Sequence, residues 1–246
     1  MRIAVAGATG TVGRHIVAAV EAQGDEAIPL TRGTGVDLIT RAGLSATLDG
    51  VDAVIDAVNV DTLSAAQATE FFETATGNLA AAARAAGVGH MVLLSIVGVD
   101  RNPHGYYAGK LAQEEALTAS GAPATIVRAT QFHEFAAQLA ERARIGPLPL
   151  APRGRVQPIA AAEVGIHLAR TAIQPPTGRA PDLAGPREEA LDDMVRRWSR
   201  AHGQRGWIPS IPLPGAQMKG MRAGLNLPGP GAVLGSQTFD EWLSAQ

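Results

Sequence analysis

The sequence has 246 residues, of which 46% are hydrophobic and 4% aromatic, and its formal net charge is −2. This length and apolar content suit one large domain or one domain with a small lobe, and the balanced charge gives no indication of a nucleic-acid or anionic-membrane partner. Because cysteine is absent, disulfides, thiolate metal ligands and a cysteine nucleophile are excluded, and a reducing cytoplasm is favoured. No apolar stretch approaches the roughly 18–20 residues that a membrane-spanning helix needs.

The chain begins with a short apolar strand over residues 3–6, a glycine turn, and a helix over residues 15–20. A strand, glycine turn and helix in this order form the context of a dinucleotide fingerprint. Gly7 permits the tight turn, Gly10 lets backbone N–H groups approach a pyrophosphate, and Gly13 lets the helix pack close to the sheet, while the helix N-terminus attracts phosphate. The alternative is a purely structural turn in another kind of α/β protein. The predicted dinucleotide contacts are Gly7, Thr9, Gly10, Thr11, Val12 and Gly13.

The end of the second predicted strand, residues 26–30, bears on the choice of cofactor. In dinucleotide folds an acidic residue at this point bonds the ribose 2′-hydroxyl of NAD, whereas an arginine accommodates the 2′-phosphate of NADP. Thr31 and Arg32 occupy the position, and no carboxylate follows until Asp37. We therefore predict NADP, bound through Arg32, with NAD as the alternative cofactor and a solvated loop arginine as the alternative role.

Strands and helices continue to alternate for about 140 residues. Further strands are predicted at 35–38, 51–58, 90–97 and 124–130, and helices at 42–48, 64–86, 106–119 and 131–144. This alternation predicts an α/β protein with a Rossmann-like, doubly wound parallel sheet. The strand over 51–58 ends at Ala57, Val58 and Asn59, where the chain is expected to pass under the cofactor.

The composition changes at residue 145, where a proline-rich loop begins. Helices are predicted at 161–172, 188–201 and 237–243, and residues 203–235, which are dense in glycine and proline, are predicted to be mostly loop. We therefore divide the chain into an NAD(P)-binding domain, residues 1–144, and a small C-terminal substrate lobe, residues 145–246, folded over the carboxyl edge of the sheet, where ligands of open α/β sheets bind.

Three further residues indicate chemistry. Ser95 ends a predicted strand, and Tyr106 and Lys110, which are one helical turn apart, share a face. Together with the glycine turn, they resemble the short-chain dehydrogenase/reductase superfamily. Blocks at 36–38, 94–100, 106–114, 128–135 and 235–243 resemble its atypical, NmrA-like branch of NAD(P)-binding proteins, so that the resemblance extends over essentially the whole chain.

The resemblance implies a role for each of these residues. Tyr106 would be the general acid for a carbonyl oxygen, and Ser95 would hydrogen-bond the same oxygen. Lys110 would bond the nicotinamide ribose and lower the tyrosine pKa, because a phenol with a pKa near ~10 needs a nearby ammonium at neutral pH. Asp37 and Leu38 would contact the adenine. The alternatives are that Tyr106 only packs or bonds within a loop–helix junction and that Ser95 bonds backbone.

Gln131, Phe132 and His133 follow the carboxyl end of a strand and are predicted to line the substrate pocket, with His133 as a possible proton donor. The alternative for His133 is a satisfied, partly buried histidine at a helix start. No histidine or carboxylate spacing is typical of a metal site, and no metal is predicted.

The favoured function is an NADP-dependent oxidoreductase of a small carbonyl or alcohol compound. A catalytically silent NADP(H)-binding regulator and a sugar-nucleotide epimerase or dehydratase are the two alternatives.

Overall fold

The computed structural model of the protein describes residues 1–145 and 148–246. Its strands are β1 (Arg2–Ala6), β2 (Glu26–Leu30), β3 (Ala53–Asp56), β4 (His90–Ile96), β5 (Ala124–Ala129), β6 (Arg144–Ile145), β7 (Leu148–Pro149), β8 (Ala151–Pro152), β9 (Arg155–Val156), β10 (Gly178–Arg179), β11 (Leu183–Ala184), β12 (Glu189–Ala190), β13 (Ser210–Ile211) and β14 (Val233–Leu234). Its helices are α1 (Gly13–Ala22), α2 (Leu44–Thr47), α3 (Ala65–Ala85), α4 (Tyr106–Ser120), α5 (Glu134–Arg142), α6 (Ala161–Ala172), α7 (Leu191–Ala201), α8 (Ala216–Arg222) and α9 (Phe239–Ser244).

The chain forms two compact units, each built from separate stretches. The first unit comprises Met1–Ser95, Pro103–Arg128 and Ala162–Pro181, and the second comprises Ile96–Asn102, Ala129–Ala161 and Asp182–Gln246. The predicted domains were separated by a single boundary after residue 144. The two units are divided differently, because most of α6, which lies in the predicted C-terminal lobe, belongs to the first unit.

The first unit is built on a parallel sheet, as predicted. Its strands follow the order β2-β1-β3-β4-β5; β1 pairs in parallel with β2 and β3, and β3 pairs in parallel with β4. The register aligns Ala6 with Leu30 on one side and with Asp56 on the other. The residues that follow these three strands therefore emerge at one carboxyl edge of the sheet. The strand order changes direction at β1, because β2 lies on one side of β1 and β3 lies on the other. Pro29 is tolerated because β2 is an edge strand.

Close helix packing completes the first unit. Phe72 and Leu79 of α3 are fully buried against the sheet. A Cβ on Gly109 of α4 would lie 2.6 Å from Cβ of Ala68 in α3, and a Cβ on Gly165 of α6 would lie 2.7 Å from Cβ of His15 in α1. Glycine at these two positions allows the facing helices, α3 with α4 and α1 with α6, to pack with their backbones in close contact.

The second unit consists of short strands and helices. β8 pairs with β13, β9 with β12, and β11 with β14. Residues 203–235 are mostly loop, as predicted, and β13, α8 and β14 are the regular elements within them. The fully buried Asn226 donates through Nδ2 to the carbonyl of Val97 at 2.9 Å, which anchors this segment within the unit. Residues 146 and 147 of the predicted proline-rich loop lie outside the described residues.

The prediction of a short strand over residues 35–38 is wrong. A 3₁₀ helix, Arg32–Thr34, follows β2 instead. Thr31 and Thr34 form a reciprocal capping box, with each backbone N–H bonded to the other hydroxyl at 3.1 Å. These hydroxyls satisfy the backbone groups at the turn, so the chain curves away from the sheet.

Candidate functional site

The glycine turn after β1 brings backbone segments into close contact at two of its three glycines. Gly7 has a φ of +77°, and a Cβ there would lie 2.4 Å from the carbonyl oxygen of Ala57. A Cβ on Gly13 would lie 2.0 Å from the carbonyl oxygen of Gly7. Both positions therefore accept only glycine. Gly10 is different, because it is exposed and a Cβ there would meet only the Gly7 oxygen, at 3.2 Å. Its bare backbone faces outward, where a phosphate could approach.

Helix α1 begins directly behind this turn. Within the described ranges, no side chain caps its N-terminus and its first turn carries no acidic residue. The positive end of the helix dipole is therefore not neutralised by the helix's own side chains, and it favours an anion. Thr9 is exposed, Thr11 is partly exposed, and Val12 is buried. These features fit the pyrophosphate role predicted for the turn.

The loop after β2 presents both charged residues that were predicted to contact the adenosine end of the cofactor. Arg32 is exposed at the start of the 3₁₀ helix. Oδ1 of Asp37 accepts the backbone N–H groups of Ile39 at 2.8 Å and Thr40 at 2.9 Å. The bonds from Thr40 and Ile39 lower the pKa of Asp37 below its ordinary value. Asp37 is thus ionised at neutral pH and shapes the loop in addition to any adenine contact; Leu38 is partly buried beside it.

Asn78 in α3 holds this loop and was missed as a functional residue. Its Nδ2 donates to the carbonyls of Leu38 at 2.8 Å and Ile39 at 3.1 Å, and its Oδ1 accepts from Nε of Arg41 at 2.7 Å. A buried amide that satisfies loop carbonyls fixes the backbone next to Asp37. The signal in the sequence was an asparagine on the apolar face of an alanine-rich helix.

The chain after β3, which includes Ala57, Val58 and Asn59, passes next to the glycine turn. The backbone N–H of Ala57 donates to the carbonyl of Ala6 at 3.0 Å, and Oδ1 of Asp56 accepts the N–H of Val58 at 3.2 Å. Asn59 is exposed, and its Oδ1 accepts the hydroxyl proton of Tyr106 at 2.6 Å. The chain that follows β3 and the start of α4 therefore meet at the carboxyl edge of the sheet.

Tyr106 is held between aromatic neighbours at the start of α4. Its ring makes an edge-on contact with Phe72, with 5.6 Å between centroids, and another with Tyr107. Burial raises the pKa of Tyr106 above its ordinary value, and Tyr107 raises it further. This direction is opposite to the one that the family resemblance implied. In this structure the hydroxyl is a firmly protonated donor.

Lys110 lies in a buried polar network, with only 4% of its surface exposed. Its Nζ donates to the carbonyl of Leu94 at 2.7 Å and to Oε1 of Gln113, and it lies 4.8 Å from the centroid of the Phe72 ring. Burial lowers the pKa of Lys110 to about 8, while the carboxylates of Asp56 and Glu114 oppose this shift. Lys110 is one turn from Tyr106, but protein groups already bind its ammonium.

Ser95 near the end of β4 is 2% exposed, and its Oγ makes no hydrogen bond within residues 1–145 and 148–246. A buried hydroxyl without a partner costs about 1–3 kcal/mol. The alternative of a bond to backbone is therefore not observed, and the hydroxyl lies buried without a partner in the described part of the chain, near the carboxyl end of this strand.

Gln131, Phe132 and His133 belong to the second unit. The His133 ring is fully buried, donates through Nε2 to the carbonyl of Gln237 at 3.0 Å, and packs against Phe239 and Trp242 with 5.7 Å between centroids in each case. These contacts enclose the imidazole within its own unit, and the role of His133 as a proton donor stays a prediction. Gln131 is buried, and Phe132 forms a backbone bridge with Ile159.

Two negative findings apply to the described ranges. No group of three or more potential metal-ligating His, Asp or Glu side chains occurs in them. None of their helices combines the length and hydropathy needed to cross a bilayer.

Known proteins resemble this chain in sequence and in fold. A reductase of Streptomyces griseus, (4-alkanoyl-5-oxo-2,5-dihydrofuran-3-yl)methyl phosphate reductase, is 36% identical over 144 residues, which cover 53% of this chain. The match spans about half of that relative, 48% of its length.

Solved structures share the fold over the full chain. An NADPH-dependent quinone oxidoreductase from Escherichia coli, solved with NADPH, has a TM-score of 0.72 at 19% identity and covers 99% of both chains. A UDP-N-acetylglucosamine 4-epimerase from Bacillus cereus has a TM-score of 0.71 at 16% identity, covering 100% of this chain and 96% of its own. These likenesses confirm the Rossmann-like fold.

The family comparison covers the glycine turn and the residues around it. Residues 7–164 match the NAD(P)H-binding family, a range that includes Gly7, Arg32, Asn59, Tyr106 and Lys110. The chain belongs to this NAD(P)H-binding family.

Proposed function

We propose that the protein is an NADP(H)-dependent reductase of a small carbonyl compound, which oxidises the corresponding alcohol in the reverse direction. The observation that carries this proposal is the register of the parallel sheet in the first unit, which aligns Ala6, Leu30 and Asp56 at one edge, formed by the carboxyl ends of β1, β2 and β3. The glycine turn, Arg32 and the bonded pair of Asn59 and Tyr106 follow that edge. A phosphate cradle, a cation for a 2′-phosphate and a proton donor thus come from one sheet edge.

Arg32 supports NADP as the cofactor. Its guanidinium is exposed at the strand end, and guanidinium matches phosphate oxygens with paired N–H bonds. Asp37, the nearest carboxylate along the chain, already accepts two backbone N–H groups of its own loop. Its position after the 3₁₀ helix differs from that of an acid at the strand end, which would favour NAD.

The chain's own residues supply the proton and the positioning. When bound, the reduced nicotinamide supplies a hydride to the carbonyl carbon. Tyr106 gives its hydroxyl proton to the carbonyl oxygen as the alcohol forms, which balances the reaction. Ser95 offers a second hydroxyl at the same edge, and the Lys110 ammonium, one helical turn from Tyr106 along α4, would favour the transient tyrosinate.

The names of related proteins guide the choice of substrates. One is a reductase of a dihydrofuranone phosphate and another acts on quinones. Both names describe carbonyl groups conjugated to a carbon–carbon double bond. We therefore place conjugated carbonyl compounds first among the substrates to be tested, and we place this chemistry in the cytoplasm, as the cysteine-free composition led us to expect.

One observation favours the second candidate, a silent NADP(H)-binding regulator. The Tyr106 hydroxyl is bonded to Asn59 and its pKa is raised, so that a bound substrate would have to replace Asn59 as its partner. The epimerase candidate rests on fold alone, and no contact described in the site favours it.

Oxidation of NADPH, followed by absorbance, tests the proposal with a panel of quinones, unsaturated lactones, ketones and aldehydes. Turnover that Tyr106→Phe abolishes while NADPH still binds would support the reductase. Tight NADPH binding without turnover of any compound would favour the regulator. Absence of NADPH binding would contradict both candidates.

A further inference from the structure

The Lys110 ammonium is the end of a chain of buried hydrogen bonds that crosses three elements of the first unit. We propose that Gln113 is a positioning residue for Lys110, and that Asp56 is the counter-charge which Gln113 connects to it. The inference rests on the proposed function for the role of Lys110 at the cofactor, whereas the network itself is defined by contacts within the first unit.

The chemistry of the neighbours fixes the orientation of the Gln113 amide. Lys110 can only donate, so the group that faces it must be the carbonyl oxygen Oε1. On the other side, Nε2 donates to Oδ2 of Asp56 at 3.2 Å and to Oγ1 of Thr76 at 2.8 Å. Thr76 in turn donates to the same Asp56 oxygen at 2.6 Å. A flipped amide would place an NH₂ against the ammonium and a carbonyl against the carboxylate.

The side chains of this network are buried, which raises the energetic cost of leaving any of their polar groups unpaired. Lys110, Gln113, Thr76 and Asp56 each have less than a tenth of their surface exposed. A buried ammonium and a buried carboxylate are each costly alone, and the dipole of a fixed amide between them stabilises both. Asp56 also accepts the N–H of Val58, so the same carboxylate joins Lys110 to the chain that passes beside the glycine turn.

The other charged and titratable groups near Lys110 do not replace Asp56. Glu114 is the nearest alternative acid, but both of its carboxylate oxygens bind Arg128, at 2.7 Å each. Tyr106 and Tyr107 on α4 are phenols, α3 contributes the uncharged Phe72 and Thr76, and β4 contributes the Leu94 carbonyl and the Ser95 hydroxyl. Asp56 is therefore the carboxylate that serves Lys110 through Gln113.

The composition of the chain permits a direct test, because Lys110 and Lys219 are its two lysines. Lys219 is exposed and lies in the second unit. In the NMR spectrum of the full-length protein with ¹³C-labelled lysine, the two lysines give two εCH₂ resonances. The Lys219→Arg variant loses one of them and so assigns both. The chemical shift of each resonance, followed against pH, reports the titration of that lysine's ammonium. Lys219 is the internal reference.

We expect Gln113→Leu and Asp56→Asn each to lower the titration midpoint of Lys110 by about one pH unit or more, because the first removes an acceptor and the second a nearby negative charge. Thr76→Val is the comparison variant: it removes one bond to Asp56 and one to Gln113 but none to Lys110, and the Gln113–Asp56 bond remains, so we expect a smaller shift of the midpoint than in Gln113→Leu or Asp56→Asn. The double variant Asp56→Asn with Gln113→Glu moves the negative charge next to Lys110 and restores the midpoint to at least the wild-type value.

An unchanged Lys110 midpoint in folded Gln113→Leu and Asp56→Asn would overturn the inference, as would a midpoint in the charge-shifted double variant as low as in Asp56→Asn. If Gln113→Leu does not fold, as judged by circular dichroism, Asp56→Asn and the double variant decide the question. Addition of NADPH to the wild type separates the proposed function from the network. A shift of the Lys110 resonance supports the cofactor role, whereas the absence of any shift counts against that role and leaves the titration result standing.

Discussion

The hydroxyl of Tyr106 donates to Oδ1 of Asn59 at 2.6 Å, which joins the first residue of α4 to the turn that follows β3. This bond holds a proton at the carboxyl edge of the sheet. Since the pKa of Tyr106 is raised by burial, the hydroxyl remains protonated throughout the neutral range.

The first prediction concerns that proton. Tyr106→Phe keeps the ring packed against Phe72 but removes the donor, so we expect kcat for carbonyl reduction to fall about 10²- to 10⁴-fold. NADPH affinity should change little. Steady-state kinetics and fluorescence titration measure the two quantities, with Tyr107→Phe as the control that removes the neighbouring hydroxyl. Retention of most of the activity in Tyr106→Phe would exclude Tyr106 as the acid.

The second prediction concerns the pH dependence of stability. The pKa of Lys110 is about 8 in the folded protein and near 10.5 when exposed. Between pH 8 and 10.5, Lys110 is therefore protonated in the unfolded chain but mostly unprotonated in the folded protein. The free energy of unfolding of the wild type, relative to Lys110→Met, should therefore rise as the pH increases from 8 to 10.5, by at most about 3 kcal/mol, and level off below pH 8. Urea unfolding at several pH values measures this difference. A difference that falls over this interval would show that the folded protein stabilises the charged form.

The third prediction compares three glycines. Gly13→Ala places a Cβ 2.0 Å from the Gly7 carbonyl and should destabilise the fold, whereas Gly10→Ala meets that oxygen at 3.2 Å and should leave the protein folded while weakening NADPH binding. Gly77→Ala in α3 meets no atom within 4 Å and should add about 0.5–1 kcal/mol of stability. Thermal unfolding and NADPH titration distinguish these outcomes. Full NADPH affinity in Gly10→Ala would argue against pyrophosphate binding at this turn.

The fourth prediction concerns Asn78. Asn78→Ala leaves the carbonyls of Leu38 and Ile39 and the guanidinium of Arg41 without their shared partner, so we expect a loss of about 1–3 kcal/mol in the free energy of unfolding. The loop that carries Asp37 should also exchange its amide hydrogens faster. Hydrogen exchange detects that change, with Gly77→Ala, the neighbouring substitution, as control. Unchanged exchange would mean that Asp37 shapes the loop without Asn78.

Local patterns in the sequence predicted the parts of the site that depend on neighbouring residues. The strand and glycine turn adjoin in the chain, and Tyr106 and Lys110 are one helical turn apart, so their placement needs no long-range information. The bond from Tyr106 to Asn59 joins residues 47 positions apart, and it depends on how α4 packs against the sheet.

The sequence patterns also did not predict how the buried polar side chains contact one another. Gln113, Thr76 and Asp56 lie on three different elements, and their contacts with one another and with Lys110 follow from the packing of α3 and α4 on β3. The raised pKa of Tyr106 depends on the burial of its ring, and the enclosure of His133 depends on the C-terminal aromatic residues Phe239 and Trp242. Neither is visible from residue type and spacing.

The most direct test of the proposed NADP(H) site is a comparison of NADPH and NADH binding to the wild type, Arg32→Ala and Arg170→Ala, in which Arg170 is an exposed arginine on α6. We predict that the wild type prefers NADPH, that Arg32→Ala lowers NADPH affinity about tenfold to a hundredfold with little change for NADH, and that Arg170→Ala changes neither. Equal affinities of the wild type for both nucleotides, unaffected by Arg32→Ala, would contradict the assignment of Arg32 and of NADP.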